Sequence, residues 1–425
     1  MKLLKLGSSG PSVQLLQTAL NRYGAGPLQP DGIFGGQTRR ALITFQAEQG
    51  LTVDGVAGQE VHRALLPWYL GYRVHRIRPG ETLYLLAERY GSSVEAIQRA
   101  NPGLTAANLP LGEEVLIPLG FPVVPTDIAA SSRLVAYCVR GLCTRYPFLR
   151  CGEIGRSVMG KPLWSLQLGR GDNRVLYSAA HHGNEWITAL LLLKFTEELC
   201  EAYGEGGLLA GFDAREILDY ASVCLLPAIN PDGMDLVTGE LEEGAFYAAA
   251  SRIAGQYPTI PFPEGWSANI RGVDLNLQYP ARWETAREIR FAQGFTGPAP
   301  SFYVGPSPLS EPESRALYAF TLRYDPALTL AFHTQGEVIF WQFLDYEPEN
   351  SRQIGELFSR LSGYALAETP YASSFAGYKD WFIQDFNRPG YTIEAGLGVN
   401  PLPIGQFPEM YEKNRGILAA GALVT

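Results

Sequence analysis

The segment "VLYSAAHHGNEWITALLLLKFTEEL", from Val175 to Leu199, decides the fold class of the larger part of this chain. It begins with a short apolar run, passes through a turn that contains glycine, and continues with apolar residues at helical spacing. This order predicts a strand, a tight turn and a helix. Similar short runs recur in "ASVCLLPAI", "ALTLAFH" and "PGYTIEAG". Residues 128–425 are therefore predicted to form an α/β domain, with a mixed, mostly parallel sheet flanked by helices.

The length and composition of the chain limit the classes of protein to which it can belong. A length of 425 residues predicts two or more domains. The net charge of −9 argues against nucleic acid as the main partner. No window reaches the roughly 18 consecutive apolar residues of a membrane span, so none is expected. The first residues, "MKLLKLGSSG", lack the apolar core and the cleavage site of a secretory signal.

The five cysteines do not form a recognisable metal or disulfide pattern. Their number is odd and they contain no CxxC pair, which excludes a zinc ribbon and argues against a complete disulfide framework. Cys138, Cys143 and Cys151 are close enough in sequence for one bridge. We expect most of the five to be free, buried thiols.

Residues 1–67 are predicted to form a small three-helix domain. Apolar residues such as Val13, Leu16 and Leu20 recur at helical spacing, and Asp-Gly turns separate the helices. The turn "DGIFG" returns in weaker form as "DGVAG", which is a short internal repeat. The segment resembles the type-1 peptidoglycan-binding domain over its whole length, although a helical spacer would show a similar pattern. The resemblance implies binding to a bacterial cell wall.

A second small domain is predicted at residues 72–118. A short strand at Tyr72 to Arg76 leads to the turn "PGET", where Glu81 or Thr82 is expected to cap a helix. A second helix and a closing strand, "EEVLIP", follow. This βααβ order resembles the LysM domain, a module that binds glycans containing N-acetylglucosamine. The two prolines of residues 119–127 favour an extended linker to the third domain.

The stretch "HHGNE" carries a candidate metal site. His182 and Glu185 are three residues apart at the start of a helix, so both side chains lie on one side of the turn. His181 points elsewhere if the strand continues to it. A catalytic zinc site commonly has two histidines and one carboxylate, and His333, at the end of the run "TLAFH", is the best third ligand. Spacing alone is weak support, because a lone His-x-x-Glu pair also occurs by chance.

Further motifs occur in the order that is typical of zinc carboxypeptidases. They are "AINPDGMD" at 228–235, "NIRGVDLNLQYP" at 269–280, His333, "YKDWF" at 378–382 and "YTIEAG" at 391–396. Residues 128–425 resemble this family as a whole, and in particular its bacterial branch of γ-D-glutamyl-L-diamino acid endopeptidases, which cut peptidoglycan stem peptides.

The resemblance implies a role for each of five residues. His182, Glu185 and His333 would hold Zn²⁺. Glu394 would act as general base and then as general acid, and a carboxylate in so apolar a strand needs a partner. Arg271 would stabilise the oxyanion of the tetrahedral intermediate.

Two positions depart from the family pattern and affect the expected substrate. In carboxypeptidases of this family an Asn-Arg pair holds the terminal carboxylate of the substrate; here Asn276 is kept and Leu277 replaces the arginine. Leucine cannot supply a cationic fork to a carboxylate, so trimming of ordinary C-termini is disfavoured. Ile383 stands where the family has a substrate-capping tyrosine, and Tyr378 is the candidate to take its place.

These observations predict a zinc peptidase that acts on peptidoglycan stem peptides and is targeted to glycan strands by two N-terminal modules. Its expected location is the cell wall or a spore-associated compartment, outside the cytoplasm. Two alternatives remain at this point: an exopeptidase for general peptides, and a wall-binding scaffold without catalytic activity. The retained candidate site argues against the scaffold. The sequence leaves the oligomeric state open.

Overall fold

The fold was analysed in a computed structural model that describes residues 2–105, 107 and 109–424. The chain divides into two units. One comprises Met1–Ile128 with Ala136–Arg150, and the other comprises Ala129–Val135 with Cys151–Thr425. Among the described residues, no helix combines the length and the apolar character needed to cross a bilayer.

The N-terminal segment is helical, as predicted, but it contains four helices rather than three within the described residues. The third predicted helix divides at Leu65, because Pro67 lacks an N–H group and starts a new helical turn. Leu16, Leu20 and Phe45 are fully buried in its core. The four helices are α1 (Pro11–Tyr23), α2 (Gly36–Glu48), α3 (Gln59–Ala64) and α4 (Leu66–Leu70).

The internal repeat predicted from the two Asp-Gly turns is present in the structure. Gln17 of α1 donates to Asp31 Oδ1 (2.8 Å) and accepts from the N–H of Gly32 (3.0 Å). In the second copy, Gln46 of α2 donates to Asp54 Oδ1 at the same distance, 2.8 Å. The glycine of each turn has a positive φ, as Gly32 shows with +76°, which explains why glycine stands there.

The second domain has the predicted βααβ order. Its strands β1 (Tyr72–Arg76) and β2 (Glu114–Pro118) pair antiparallel. Helix α5 (Leu83–Tyr90) lies between them, and Thr82, not Glu81, caps it by accepting from the N–H of Leu85 at 3.2 Å. Helix α6 (Val94–Ala100) follows, with Ser93 as its cap.

The long helix α7 (Ser132–Arg145) begins the predicted third domain, but its residues from Ala136 onward group with the N-terminal unit. Arg145 accounts for part of this grouping, because its guanidinium is buried and donates to the carbonyl of Gly71 at 2.6 Å and to that of Leu119. Cys138, Cys200 and Cys224 are buried thiols outside any disulfide, as expected for most of the cysteines, whereas Cys143 and Cys151 are disulfide-bonded.

The second unit contains an eight-stranded mixed sheet, which confirms the predicted fold class. Its strands are β3 (Arg150–Arg156), β4 (Pro162–Leu168), β5 (Asn173–Ala179), β8 (Ala221–Leu226), β9 (Leu328–His333), β10 (Val338–Phe340), β11 (Ala365–Ala367) and β12 (Gly390–Glu394). Their order across the sheet is β11-β10-β12-β9-β5-β8-β4-β3. The central strands β12, β9, β5 and β8 run parallel, whereas β4 and β10 pair antiparallel with their inner neighbours. A separate ribbon pairs β6 (Leu208–Leu209) with β7 (Phe212–Asp213).

Helices flank this sheet. Helix α8 (Ile187–Glu205) packs against β5, and helix α15 (Tyr378–Phe386) packs against β9 and β12. The central strands are buried almost throughout, which agrees with their continuous apolar sequences. The helices of this unit are α8 (Ile187–Glu205), α9 (Ala214–Tyr220), α10 (Pro231–Thr238), α11 (Gly244–Ala254), α12 (Trp283–Ala292), α13 (Pro312–Tyr324), α14 (Ser351–Ser362), α15 (Tyr378–Phe386) and α16 (Phe407–Ala420).

The parallel strands bring distant parts of the sequence to one edge of the sheet. Strand β5 ends at Ala179, just before the two adjacent histidines. Strand β9 ends at His333 and β12 ends at Glu394, and these two residues are paired in register. Because the carboxyl ends of parallel strands meet at the same edge, the candidate site residues converge there.

Candidate metal centre and catalytic cavity

His182, Glu185 and His333 form a cluster in which one ligand atom from each residue lies within 4.8 Å of the others. His182 immediately precedes the short 3-10 helix Gly183–Glu185, and His333 is the last residue of β9. The structure thus brings together the three residues that the sequence suggested as a metal site.

The two imidazoles share the carboxylate of Glu185. The Nδ1 atom of His182 lies 2.9 Å from one carboxylate oxygen, and the Nδ1 atom of His333 lies 2.9 Å from the other. Burial alone would raise the pKa of Glu185, but the charges of His182 and His333 outweigh it and lower that pKa to about 2. The carboxylate is therefore ionised at neutral pH.

Asp274 orients the first of these imidazoles from the opposite side. Its Oδ1 atom lies 3.0 Å from Nε2 of His182, which leaves Nδ1 facing Glu185. Burial opposes protonation of His182, but the carboxylates of Glu185 and Asp274 together raise its pKa well above the usual value. A carboxylate behind a metal-binding histidine fixes the tautomer and the orientation of the ring. The sequence analysis did not single out Asp274, although it lies within the quoted "GVDLN" motif.

The donor set fits a zinc ion. Two imidazole nitrogens and one ionised carboxylate are the ligands of many catalytic zinc sites. All three residues are largely buried, with His333 almost completely so. A cluster of this kind, with one imidazole already hydrogen-bonded to Asp274, can hold a divalent cation with little rearrangement.

His181 stands beside the cluster but not in it, as predicted. Its Nε2 atom lies 2.9 Å from the hydroxyl oxygen of Ser178, and its ring stacks on that of His333 with centroids 5.1 Å apart. Burial, followed by the charges of His333 and His182, lowers its pKa well below the usual value. His181 is therefore a neutral packing residue.

Asn230 holds the turn that carries the histidines. Its side-chain amide donates to the carbonyls of His181 (3.2 Å) and Ala268 (2.9 Å), and its oxygen caps α10. The backbone is so close here that a Cβ on Gly183 would come within 2.6 Å of Gly233. The turn is thus fixed in place by the start of α10.

Glu394 and His182 both line a cavity of about 300 Å³. Burial raises the pKa of Glu394 to about 7; the charge of His333 opposes this rise, and that of Glu185 adds to it. A carboxyl group with such a pKa can both accept and donate a proton near neutral pH.

Arg271 does not lie where the resemblance would require it. Its side chain is 56% exposed, and its guanidinium lies 3.5 Å from the carboxylate of Glu311. It is absent from the lining of the cavity. The N–H of Gly272 donates to the carbonyl of Asn269 at 2.9 Å and closes the turn that carries Arg271. This geometry gives no support to the oxyanion role of Arg271, which stays a prediction.

Tyr378 also fails to reach the cavity. It is fully buried, and its hydroxyl lies 3.0 Å from that of Thr321 in the core. Its ring packs against Tyr279 and Trp381. Tyr378 is the first residue of α15, and its burial gives no support to a role as the substrate cap, which stays a prediction.

Asn276 and Leu277 both line the cavity. The side-chain oxygen of Asn276 accepts from the backbone N–H of Tyr378 at 3.0 Å, which leaves its amide nitrogen for a substrate. Two cationic residues that the sequence analysis missed, Arg290 and Lys379, also line the cavity. Nothing in the local sequence around Arg290 distinguishes it from other helical arginines. Lys379 lies within the quoted "YKDWF" motif, which could have drawn attention to it.

Comparison with known proteins matches all three parts of the chain to families. A model of the zinc carboxypeptidase family matches residues 136–416. A model of a peptidoglycan-binding domain matches residues 9–65, and a model of the LysM domain matches residues 75–118.

Two proteins and one solved structure illustrate what this chain is similar to. The chain is 40% identical over 283 residues to γ-D-glutamyl-L-diamino acid endopeptidase 1 of Lysinibacillus sphaericus, covering 67% of this chain and 69% of that protein. It is 36% identical over 338 residues to the uncharacterized protein YqgT of Bacillus subtilis (strain 168), covering 79% and 86% respectively. The structure of bovine thrombin-activatable fibrinolysis inhibitor in complex with tick carboxypeptidase inhibitor shares the fold, with a TM-score of 0.53 at 17% identity over 70% of this chain and 97% of that one.

Proposed function

This chain belongs to the zinc carboxypeptidase family, and from that membership we propose that it hydrolyses the bond between a γ-D-glutamyl residue and an L-diamino acid in peptidoglycan stem peptides. The chain is a zinc metallopeptidase with two modules that bind peptidoglycan. The name of its relative in Lysinibacillus sphaericus, at 40% identity, supports the choice of bond.

The observation that carries this proposal is the apolar side chain of Leu277 in the cavity. Leu277 is 7% exposed and lines the cavity beside Asn276, where the family pattern has an arginine for the terminal carboxylate of the substrate. A leucine cannot form the paired N–H···O bonds that select a chain end. The site therefore favours cleavage of an internal bond over release of a C-terminal residue.

We assign the chemistry to four residues, of which His182 and Glu394 line the cavity and Glu185 and His333 lie behind His182 in the metal cluster. His182, Glu185 and His333 would hold zinc, which supplies a Lewis acid that polarises a carbonyl and eases the ionisation of water near neutral pH. Glu394 accepts the proton of the attacking water and then donates it to the leaving amine, for which its pKa of about 7 is suited.

The N-terminal modules supply location rather than chemistry. We retain the predicted division into residues 1–67, 72–118, the linker 119–127 and the catalytic domain 128–425. Modules that hold the glycan raise the effective concentration of stem peptides around the catalytic domain. We therefore propose that the enzyme acts outside the cytoplasm, in the cell wall or a spore-associated compartment, on glycan strands and their stem peptides.

Digestion of muropeptides of defined sequence, followed by mass analysis of the products, tests the bond cleaved. We expect products that end in γ-D-glutamate and products that begin with the diamino acid, whereas E394Q yields neither. Release of C-terminal residues from ordinary peptides, with the γ-D-glutamyl bond intact, would establish an exopeptidase instead. A protein that lacks stoichiometric zinc and stays inert after zinc addition would be a wall-binding scaffold.

A further inference from the structure

Besides the metal-site residue His182, the cavity is lined by a lysine and an arginine, and these two differ in whether a ligand could use them. Lys379 is 4% exposed, and its Nζ atom lies 2.6 Å from Asp380 Oδ1. The same Nζ donates to the carbonyl of Gln342 at 2.7 Å. Breaking a buried ion pair leaves an uncompensated charge, so Lys379 keeps its partners within the protein and is not available to a ligand.

Arg290 has fewer partners within the protein than Lys379 has. It lies in the last turn of α12, and its guanidinium carbon is 4.8 Å from the centre of the Phe302 ring. Among the described residues, its one hydrogen bond joins Nη1 to the neutral amide oxygen of Gln293 at 2.9 Å, and it forms no ion pair. Most of its N–H donors remain free for a ligand in the cavity.

The acidic residue whose charge acts on Arg290 is already occupied. Asp274 influences the guanidinium electrostatically. Its oxygens lie 3.0 Å from Nε2 of His182, 3.0 Å from the N–H of Asn276 and 3.2 Å from the N–H of Phe302. Asp274 is thus used to orient His182 and the adjoining loop, which leaves Arg290 as the available cation of the cavity.

The chemistry of a γ-linked substrate supplies an anion for this cation. When glutamate is linked through its side chain, the carbonyl under attack belongs to that side chain, and the α-carboxylate remains free a few bonds away. An ordinary α-linked peptide has no carboxylate at this point. A guanidinium matches a carboxylate with two parallel N–H···O bonds, which a lysine cannot provide.

We propose that Arg290 binds the free α-carboxylate of the γ-linked D-glutamyl residue and thereby selects this linkage; the inference rests on the proposed function. The cavity then lacks a cation for the chain end at Leu277 and presents one to an internal carboxylate at Arg290. This arrangement explains how one family scaffold rejects ordinary C-termini and accepts an acidic, γ-linked substrate.

The test uses two probes that differ in one group. N-acetyl-γ-D-glutamyl-L-lysine amide carries a single carboxylate, the α-carboxylate in question, and its counterpart carries an amide there. We expect R290Q to lower kcat/KM for the acid by roughly 10- to 100-fold while changing that for the amide by less than about 3-fold. R290K, which keeps the charge without the fork, should fall between.

Arg287 provides the matched control. It is exposed on the same helix, lies over the rings of Trp283 and Phe291, and does not line the cavity. R287Q should therefore keep the wild-type preference for the acid. Melting temperatures of both variants separate a loss of recognition from a loss of folding. An equal loss on acid and amide, or a preference that survives in R290Q, would overturn the proposal.

Binding to inactive protein separates this inference from the proposed function. E394Q and the double variant R290Q/E394Q, both loaded with zinc, are titrated calorimetrically with each probe. We expect E394Q to bind the acid more tightly than the amide by roughly 10-fold or more, and the double variant to bind both alike. If the wild type cleaves neither probe but this difference is present, the proposed reaction is wrong and the carboxylate site stands. If binding shows no difference, the carboxylate site is wrong, whatever the wild type cleaves.

Discussion

The molecule contains two histidine–glutamate contacts that look alike locally and differ in what surrounds them. In the LysM domain, His75 Nε2 lies 2.7 Å from Glu81, and in the catalytic domain His182 Nδ1 lies 2.9 Å from Glu185. Each carboxylate has a pKa lowered to about 2, Glu81 chiefly by its hydrogen bond from His75 and Glu185 by two imidazole charges that outweigh its burial. The difference between the two sites must therefore lie in the third group that each carboxylate meets.

In the LysM domain the third group is the cation Arg89, and the charged groups of His75 and Glu81 are all paired within the domain. Arg89 lies 2.5 Å from the other oxygen of Glu81, and the second nitrogen of His75 lies 2.8 Å from the hydroxyl of Tyr90. In the catalytic domain the third group is the imidazole of His333, and a cavity opens beside His182. A histidine–glutamate contact can become a metal site when a second imidazole shares the carboxylate and a ligand can enter.

The largest expected effect comes from removing the second imidazole. H333A should lose stoichiometric zinc and at least about 10³-fold in kcat/KM, because two remaining ligands cannot hold a catalytic metal. H75A, the matched change in the LysM domain, should keep both. Metal analysis and hydrolysis of γ-D-glutamyl peptides provide the measurement. Full zinc occupancy in H333A, or its loss in H75A, would remove the distinction between the two sites.

Replacing the carboxyl group that borders the cavity should separate metal binding from proton transfer. E394Q should retain zinc and lose roughly 10²- to 10⁴-fold in kcat, because the amide cannot accept or return a proton. The measurement is the zinc content together with steady-state kinetics. Loss of zinc from E394Q would show that Glu394 belongs to the metal cluster rather than to the cavity.

A smaller effect is expected from the carboxylate that orients His182. D274N should weaken zinc affinity or activity by about 10- to 100-fold, because the neutral side chain no longer fixes the imidazole. Competition with a chelator measures the affinity. An unchanged affinity and activity would mean that the bond from Asp274 to His182 is dispensable.

Arg271, three residues before Asp274, should matter far less. Its side chain is 56% exposed and lies outside the cavity lining, and its ion pair with Glu311 contributes little to stability. R271Q should therefore change kcat/KM by less than about 5-fold. Kinetics on the same γ-D-glutamyl peptide check this, and a loss of two orders of magnitude would restore the oxyanion role that the structure argues against.

The smallest expected effect concerns the contacts of Glu81 with His75 and Arg89 in the LysM domain. Because the folded pKa of Glu81 is lowered from 4.5 to about 2, its contribution to stability is present above pH 4.5 and is lost as the pH falls towards 2. The melting temperature of the wild type should therefore exceed that of E81Q by a few degrees at neutral pH, and the two should converge in acid. Calorimetry at several pH values measures this. A constant difference across the range would argue against the lowered pKa, and catalysis should be the same in both proteins.

The features of this protein that depend on local pattern could be predicted from its sequence. Apolar periodicity identified the strands and helices, and the paired Asp-Gly turns identified the repeat that Gln17 and Gln46 close. His182 and Glu185 could be found because a spacing of three residues places two side chains together in any helical turn. His333 could be suggested because the chain has few histidines and this one ends a predicted strand.

Which other side chains reach the cavity depends on the packing of the folded chain. Arg271 and Tyr378 belong to the right motifs, but the turn before Asp274 exposes the arginine, and the packing of α15 on the sheet buries the tyrosine. Arg290 lies in an ordinary helix and reaches the cavity because that helix packs beside it. The direction of a side chain at the end of a strand or helix depends on contacts with residues far away in sequence, and no local pattern encodes those contacts.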